Sequence, residues 1–447
     1  MRVLLAIWAA KLLAVLGKAV GKKSSSTPGS IALRLCPDII KRLKTKITNE
    51  VIVVCGTNGK TTTNNLIAST LTSDGHRVVC NNLGANMLSG IATAFALECD
   101  WLGRLRADYA CLEVDEAYTA RVFRHIKPDI VIVTNLFRDQ LDRYGDISTL
   151  MNIMGNAFKE ASFPTLILNG DDPVSSGFGR DYMGKVYYYG ISEEVLQKQD
   201  DAKDGKFCAV CGAEQKYNFY HYSQLGDYYC PECGNKRPNI DFEATKVDLS
   251  YGIAFSINGQ DLKLDYKGFY NIYNVLATFA GISILGLETD RFSIKLKGYK
   301  PQIGRMQEFD LGKPFILNLA KNPAGFNQAI QTVALDSRKK DVIIAVNDRP
   351  SDGTDISWLW DVDFEKIADS TLSTLTVSGM RRYDLALRFK YSDVKVDVIT
   401  EDMKSFIQGR SLSDSEVCYV LVNYTMLFST ENILSELEAE RGKNKND

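Results

Sequence analysis

The sequence of 447 residues has only three histidines, and none follows His221, so the half of the chain beyond that residue has no imidazole base. It has no run of about 18 uncharged apolar residues, the length that a transmembrane helix requires. Its formal net charge is −2, too small for the broad basic surface of a nucleic-acid-binding protein. These shortages argue against an integral membrane protein and against nucleic acid as a partner.

The remaining composition, with 45% hydrophobic and 24% charged residues, is typical of a globular protein, and the length suggests about three domains. Ten cysteines occur; four form two C-x-x-C pairs, and the others are scattered through mostly apolar segments. This pattern favours reduced, buried thiols over a disulfide framework, and therefore a cytoplasmic location.

The first 23 residues are apolar but carry lysines at positions 11, 18, 22 and 23. A lysine within the apolar stretch and the lack of a small-residue cleavage site argue against a signal peptide. Two interpretations remain: a helix that packs on its own protein, or a basic amphipathic helix that lies peripherally on an anionic membrane surface.

The most informative stretch is VIVVCGTNGKTTT at residues 51–63. An apolar strand, a Gly56–Gly59 turn and a helix that begins near Lys60 form the arrangement that binds phosphate groups. In this arrangement Lys60 contacts the β- and γ-phosphates and Thr61 holds magnesium. Val54 replaces the first glycine of the full phosphate-loop pattern, so this is the shortened G-x-x-G-K-T form.

Residues 51–200 alternate between strand-like and helix-like segments, which predicts a doubly wound parallel sheet with ligands at the carboxyl ends of its strands. Two of these strand ends carry polar groups, at Glu113–Glu116 and Thr134–Asp142. Carboxylates beside a phosphate loop supply the oxygen ligands that magnesium prefers. For either cluster alone, helix capping is the alternative.

The two C-x-x-C pairs, Cys208 with Cys211 and Cys230 with Cys233, have the spacing of a zinc ribbon. Four thiolates close a tetrahedral site and leave no open position for catalysis, so the site would serve folding or docking. A pair of disulfides is the alternative. His221 lies between the pairs, and we expect it at the surface rather than as a fifth ligand.

Beyond the cysteines, residues 247–266 alternate as a hairpin, and a buried helix is expected from about Asn271. Asn271 and Asn274 share one face of its first turn, where they would cap the helix or bind a base edge. Arg305 precedes a second alternation of strands and helices that begins at about residue 310. There, the loop at 348–361 carries several acids and two tryptophans at a strand end, which favours an interface or an active-site edge.

Together these motifs resemble the Mur ligase family of ATP-dependent enzymes that form amide bonds in peptidoglycan synthesis. They follow the family's order: GTNGKT at 56–61, Glu113, T-N-x-x-R-D-Q-L-D at 134–142, the N-x-x-N helix start, and Gly304–Arg305. The four-cysteine insertion and residues 318–328 and 352–365 further resemble the synthetase subunits of lipid II isoglutaminyl synthases.

The resemblance implies an α/β fold in three parts. These are an N-terminal basic helical segment at 1–47, a central ATP-binding domain with a parallel sheet at 48–310, and a Rossmann-like domain at 311–447; the zinc-ribbon insertion is at about 205–238. It implies amidation of the D-glutamate α-carboxylate in the lipid II stem peptide, through an acyl phosphate, at the membrane face. It also implies that ammonia comes from a GatD-type glutaminase in a heterodimer. The lack of histidine in 311–447 fits this, since a glutaminase needs a Cys–His pair.

The resemblance also assigns roles to residues. ATP would be bound by Gly56, Thr57, Asn58, Gly59, Lys60, Thr61, Thr62, Asn271, Asn274 and Arg305. Magnesium would be held by Thr61 and Glu113, and zinc by Cys208, Cys211, Cys230 and Cys233. Asp355 would act catalytically, as the acid that completes the Cys–His pair of the partner.

Three positions depart from the family pattern. Gln140 and Tyr270 stand where histidines are usual, and Asn318 stands where a ribose-binding aspartate is usual, so the number of magnesium ions stays open. One alternative function is a stand-alone amino-acid ligase of the ordinary Mur or folylpolyglutamate kind, against which the Asp355 loop and the cysteine insertion argue. Another is a non-enzymatic zinc-ribbon protein that uses ATP as a switch, against which the carboxylates near the loop argue.

Overall fold

A computed structural model gives the fold of the chain and describes residues 1–19, 25–82, 85–137, 147–195, 206–250, 252–264, 268–297 and 303–444. These residues divide into two compact units. The first unit holds the described residues up to 297 apart from 268 and 269, and the second holds those two and residues 303–444. Each unit is built around a mainly parallel sheet, so the predicted α/β alternation is confirmed.

The first unit contains eleven described strands. They are β1 (Val51–Cys55), β2 (Val78–Cys80), β3 (Tyr109–Glu113), β4 (Ile130–Val133), β5 (Thr165–Asn169), β6 (Val186–Ile191), β7 (Lys216–Tyr222), β8 (Leu225–Tyr229), β9 (Phe242–Asp248), β10 (Ile253–Ile257) and β11 (Gln260–Leu264). Nine of them form one sheet in the order β11-β10-β9-β6-β5-β4-β1-β3-β2, while β7 and β8 pair only with each other. Neighbouring strands from β9 through to β2 in this order pair in parallel. The β9–β10 and β10–β11 pairs are antiparallel.

The strand order of this sheet reverses at β1, which lies between β3 and β4. All five residues of β1 are buried, as expected for an apolar strand in the middle of a parallel sheet with both faces covered. A point where the strand order reverses is where doubly wound sheets bind ligands. The sheet therefore brings the turn after β1 beside the carboxyl ends of β3 and β4.

Nine described helices belong to the first unit. They are α1 (Arg2–Ala19), α2 (Thr27–Leu35), α3 (Ile39–Lys44), α4 (Lys60–Ser73), α5 (Leu88–Glu98), α6 (Thr119–Phe123), α7 (Ile147–Glu160), α8 (Asn271–Ile284) and α9 (Phe292–Lys297). Helix α8 is buried along most of its length and packs against α4, the helix that follows the turn after β1. The buried helix predicted from Asn271 is thus present.

Helix α1 packs on its own protein through one face. Ala6, Ile7 and Ala10 are buried, and Trp8 Nε1 donates a hydrogen bond to the carbonyl of Trp101 at 2.8 Å. The other face is exposed, with Leu12 at 59% relative accessibility. Among the described residues, every helix is too short or too polar to cross a membrane.

The second unit holds six described strands and four described helices. They are β12 (Gln307–Asp310), β13 (Pro314–Leu319), α10 (Pro323–Ala334), β14 (Lys340–Ala345), β15 (Leu372–Ser378), α11 (Arg382–Tyr391), β16 (Val398–Ile399), α12 (Met403–Arg410), β17 (Val417–Val422) and α13 (Tyr424–Asn444). The sheet order is β12-β13-β17-β14-β15-β16, and only β12 is antiparallel to its neighbour. The alternation predicted beyond residue 310 is therefore present.

Candidate nucleotide site and cysteine cluster

The turn after β1 contains two glycines in the left-handed region, with φ of +120° at Gly56 and +84° at Gly59. A Cβ atom on Gly56 would lie 2.4 Å from Thr134 Oγ1, and one on Gly59 would lie 2.3 Å from Asn274 Oδ1. Both positions therefore exclude a side chain. The turn adopts a backbone conformation that other residues rarely adopt, and it packs closely against the residue after β4 and against α8. It leads directly into α4, as phosphate binding requires.

The segment after β4 holds this turn in shape. The amide of Thr57 donates to the Asn135 carbonyl at 2.8 Å, and the amide of Asn58 donates to Asn135 Oδ1 at 2.9 Å. The amide of Phe137 donates to Thr57 Oγ1 at 3.0 Å. The sequence pattern did not identify Asn135 as the residue that shapes the turn, because its role depends on partners far away in the chain.

Lys60 lies at the start of α4 and is 6% exposed. Its ammonium lies 3.0 Å from Glu116 Oε2, and it donates to the carbonyls of Gly56 and, at 3.1 Å, Thr57. Burial by itself lowers the pKa of Lys60, but the charge of Glu116 and of two neighbouring carboxylates outweighs it and holds that pKa above its ordinary value. The turn therefore contains a permanently charged cation. Sequence reasoning had placed Glu116 in the acidic cluster but missed its pairing with Lys60.

Glu113 ends β3 beside the turn and is 2% exposed. Its backbone is fixed by Asn81, which accepts from the Glu113 amide and donates to the Glu113 carbonyl, both at 2.8 Å. Oε1 accepts from Asn86 Nδ2 at 3.3 Å, whereas Oε2 is buried without a hydrogen-bond partner among the described residues. Burying a carboxylate oxygen costs free energy unless a hydrogen-bond donor or a cation compensates for the lost water. The site therefore fits a bound cation.

The other predicted members of this site are only partly described. Thr61 is half-buried and Thr62 is buried, both in the first turn of α4. Thr134 and Asn135 of the second polar cluster contact the turn, as given above. Residues 138–142 of that cluster, including Gln140, lie outside the described residues.

Asn271 and Asn274 lie in the first turn of α8, and both are buried. Asn274 Nδ2 donates to Asn271 Oδ1 at 3.0 Å, and Thr63 Oγ1 in α4 donates to Asn274 Oδ1 at 3.4 Å. Tyr270 is the N-cap of the helix and makes no capping hydrogen bond through its side chain, so neither asparagine occupies the N-cap position. The pair lies instead beside Gly59.

Arg305 and Asp355 lie in the second unit. Arg305 is half-buried in the turn before β12, and Asp355 is exposed. The Asp355 carboxylate accepts from Ser357 N at 2.8 Å and from Ser357 Oγ at 2.9 Å, at the start of the 3-10 turn Ser357–Asp361. These bonds hold the carboxylate in one orientation on an exposed surface. The predicted contact of Arg305 with phosphate stays a prediction.

The four predicted zinc ligands meet at the open end of the β7–β8 hairpin. Their Sγ atoms all lie within 4.8 Å of one another, with Cys208 3.6 Å from Cys233 and Cys211 3.5 Å from Cys230. Four sulfurs at about 2.3 Å from a tetrahedral zinc ion would be about 3.8 Å apart. The cluster therefore fits a tetrahedral metal ion.

The prediction that His221 lies at the surface is wrong. His221 is fully buried, with Nδ1 2.7 Å from the Tyr273 hydroxyl and Nε2 donating to the Glu193 carbonyl at 2.9 Å. The sequence showed only that His221 lies between two C-x-x-C pairs, and four thiolates already complete a tetrahedral site without it. The tertiary structure instead inserts this part of the hairpin into the first unit.

Comparison with known proteins identifies the family. Residues 54–282 match the Mur ligase middle domain, and residues 319–427 match the MurT ligase C-terminal domain. The chain is 33% identical over 429 residues to the lipid II isoglutaminyl synthase (glutamine-hydrolyzing) subunit MurT of Staphylococcus aureus, with 96% of each chain covered. The MurT subunit of Streptococcus pneumoniae is also 33% identical, with 94% of each chain covered.

Solved structures share the fold. A pseudomurein peptide ligase type C from Methanothermus fervidus has a TM-score of 0.70 at 23% identity, covering 93% of this chain and 86% of that one. MurF ligase from Thermotoga maritima, in complex with ADP, has a TM-score of 0.64 at 14% identity, covering 92% and 85%. The resemblance that the motifs suggested is therefore confirmed: the chain belongs to the MurT family of Mur ligases and is an ATP-dependent ligase.

Proposed function

We propose that this chain is the synthetase subunit of a lipid II isoglutaminyl synthase. The α-carboxylate of D-glutamate in the stem peptide attacks the γ-phosphorus of ATP, and ADP leaves. Ammonia then attacks the acyl carbon of the acyl phosphate, phosphate leaves, and the nitrogen loses a proton to give D-isoglutamine. The MurT relatives that match 96% of the chain carry this proposal, and the buried acids around the phosphate-loop turn support it.

In the proposed ATP site, residues from Gly56 to Thr62 cradle the phosphates, and the Lys60 ammonium neutralises their charge. Thr61 and Glu113 hold magnesium, which stabilises the charge that develops on the transferred phosphoryl group. The Glu113 oxygen without a hydrogen-bond partner supports this assignment. We assign Asn271 and Asn274 to the adenine side of the nucleotide and Arg305 to the phosphates.

The proposed domain organisation has three segments: a helical segment at 1–47, an ATP-binding domain at 48–310 and a Rossmann-like domain at 311–447. In the last of these, the Asp355 loop faces a GatD-type glutaminase. An exposed aromatic surface next to the loop supports this role. Trp360 is 49% exposed, Tyr391 on α11 is 72% exposed, and their rings pack at 5.4 Å. Exposed aromatic pairs of this kind are enriched at protein interfaces.

An amidation assay tests the proposed function. The chain is incubated with ATP, magnesium and lipid II, first with ammonium and then with glutamine, with and without the candidate glutaminase. We expect amidation from ammonium by the chain alone, and from glutamine only when the partner is present. Amidation from glutamine by the chain alone would contradict the two-subunit proposal, and a free amino acid as the preferred amine would favour a stand-alone ligase.

We infer that Cys208, Cys211, Cys230 and Cys233 hold a structural zinc ion, since their sulfur separations suit tetrahedral coordination. Replacing the two exposed ligands, Cys211 and Cys233, with serine should lower the zinc content from about one ion per chain to near zero and lower the melting temperature. Elemental analysis and thermal melting measure both effects. The control is Cys36→Ser, which alters a thiol outside the cluster and should keep the zinc. Retention of zinc after all four ligands are replaced would refute the site.

We also infer that the exposed face of α1 rests on the inner membrane surface. Leu12 and Leu16 project from this face, and Leu102, beside the contact between α1 and Trp101, is 68% exposed. Helix α1 carries basic residues and no acidic ones, which suits an anionic surface. The lipid carrier would hold the proposed substrate in the membrane, so the chain would act at such a surface.

Adding negative charge to this face tests the membrane proposal. The double variant Leu12→Glu/Leu16→Glu should bind phosphatidylglycerol vesicles about tenfold more weakly than the unaltered chain, because it adds acids to an apolar face. Vesicle co-sedimentation at two salt concentrations measures the change. The control Leu412→Glu alters an even more exposed leucine in the second unit and should bind normally. Equal binding by the α1 variant and the unaltered chain would refute the proposal.

A further inference from the structure

The β7–β8 hairpin is inserted into the first unit with its turn inward. Turns normally lie at the protein surface. Here His221, Gln224 and Leu225 are fully buried, and Tyr222 is 4% exposed. The open end of the same hairpin carries the four cysteines. The hairpin therefore connects the cysteine cluster with the interior of the first unit.

The buried turn contacts the segment that shapes the phosphate-loop turn. Gln224 Nε2 donates to the Leu136 carbonyl at 2.9 Å and to Asp172 Oδ1 at 2.5 Å. Asp172 Oδ2 in turn accepts from the Leu136 amide at 2.8 Å. Both backbone groups of Leu136 are thus held by this pair. The next residue, Phe137, packs against Tyr222 and bonds to Thr57 of the phosphate-loop turn.

A second contact reaches α8. His221 Nδ1 lies 2.7 Å from the hydroxyl of Tyr273, and that hydroxyl donates to Asp171 Oδ2 at 2.7 Å. Tyr273 directly precedes Asn274, whose side chain lies against Gly59. Asp171 also accepts from Arg237 Nε at 2.7 Å, so it keeps a cationic partner if the tyrosine hydroxyl is removed.

We propose that the β7–β8 hairpin is a positioning element for the nucleotide site. Gln224 supports the phosphate-loop turn through its hydrogen bond to Leu136, and His221 holds the start of α8 through Tyr273. The metal-bound cysteines anchor the hairpin that carries both residues. This inference rests on the proposed function only in taking the turn after β1 to bind ATP. It gives the cysteine insertion a role in nucleotide affinity in addition to folding.

Two buried substitutions test the two contacts separately. Gln224→Met keeps the side-chain length but removes both hydrogen bonds, and Tyr273→Phe removes only the hydroxyl. The matched control is Tyr228→Phe on β8, which removes another buried hydroxyl, one that lies 2.6 Å from Ser176 Oγ. All three variants should remain folded, because Asp171 and Asp172 keep backbone or arginine donors.

The readout is the affinity for Mg-ADP by isothermal titration calorimetry. We expect the affinity for Mg-ADP to fall by about fivefold or more in Gln224→Met and in Tyr273→Phe. In Tyr228→Phe it should change by less than about twofold. Without nucleotide, hydrogen exchange at the Thr57 and Asn58 amides should rise in Gln224→Met and not in the control. Unchanged affinity in both test variants, or an equal loss in the control, would overturn the proposal. If Gln224→Met fails to fold, Tyr273→Phe decides alone.

The anchoring role of the cysteines is tested in the same assay. In Cys211→Ser/Cys233→Ser, zinc content should fall and Mg-ADP binding should weaken in parallel. Loss of zinc with unchanged Mg-ADP affinity would overturn that part of the proposal. Because Mg-ADP binding requires neither lipid II nor a partner subunit, failure of the amidation assay would leave this test intact.

Discussion

Replacing Lys60 with methionine is expected to lower ATP-dependent amidation by about a thousandfold, the scale of losing a central cation in phosphoryl transfer. The Lys60 ammonium is buried at the phosphate-loop turn, and the carboxylate of Glu116 keeps the pKa of Lys60 raised, so the group stays charged at neutral pH. Methionine retains much of the side-chain volume but removes this charge. Product formation from lipid II and ammonium measures the loss.

The same substitution also affects folding, and a second variant separates the two effects. Lys60→Met removes the ammonium that pairs with the buried Glu116 carboxylate, and breaking a buried ion pair costs about 3–5 kcal/mol. A raised folded-state pKa means that the stabilisation by Lys60 is complete below the ordinary lysine pKa and is lost only as pH rises through the folded value. It is therefore fully present at neutral pH.

The double variant Lys60→Met/Glu116→Gln removes both charges. We expect its melting temperature to recover most of the loss, while amidation stays as low as in the single variant. The control Lys340→Met breaks another buried lysine pair, with Asp369 in the second unit, and should lower stability without removing the phosphate-loop cation. Restored amidation in the double variant would show that Lys60 serves folding rather than phosphate binding.

Asp355→Asn is expected to abolish glutamine-driven amidation, by about a thousandfold or more, while ammonium-driven amidation is unchanged. Asparagine keeps an oxygen that accepts from Ser357, so the 3-10 turn should persist. It removes the negative charge that, in the proposed complex, orients and stabilises the histidine of the partner. Initial rates with each nitrogen source, in the purified two-subunit complex, measure the difference.

Two further variants refine this prediction. Ser357→Ala removes one of the two bonds that orient Asp355 and should lower only the glutamine-driven rate, by a smaller factor than Asp355→Asn. Asp361→Asn changes another acid of the same loop and should leave both rates intact. If Asp355→Asn lowers both rates equally, Asp355 belongs to the ligase chemistry of this chain. Gel filtration of each complex shows whether the partner still binds.

Several features of the fold followed from local pattern. The apolar run Val51–Cys55 indicated a strand buried on both faces, and the Gly56–Lys60 spacing indicated a tight turn into a helix. These features depend on neighbours within a few residues, so periodicity and turn chemistry are enough to predict them. The Asn258–Gly259 turn between β10 and β11 was predictable for the same reason.

The errors concern partners rather than elements. The sequence predicted His221 at the surface because four thiolates already complete a tetrahedral site and leave no ligand position for a histidine between the C-x-x-C pairs. In the structure, Tyr273 and Glu193 satisfy its polar atoms inside the first unit. Burial of a polar residue depends on whether such partners are present, and they come from distant parts of the chain.

The sequence by itself therefore determined the order of strands and helices, the turn after β1, the grouping of the four cysteines and the ligase family. Only the tertiary structure decided that Lys60 pairs with Glu116, that Asn274 lies against Gly59, and that the β7–β8 turn is buried against the segment after β4. The physical reason is that hydrophobic periodicity reports which face of an element is buried. It does not report which other element covers that face, and that choice depends on packing and hydrogen bonding across the whole unit.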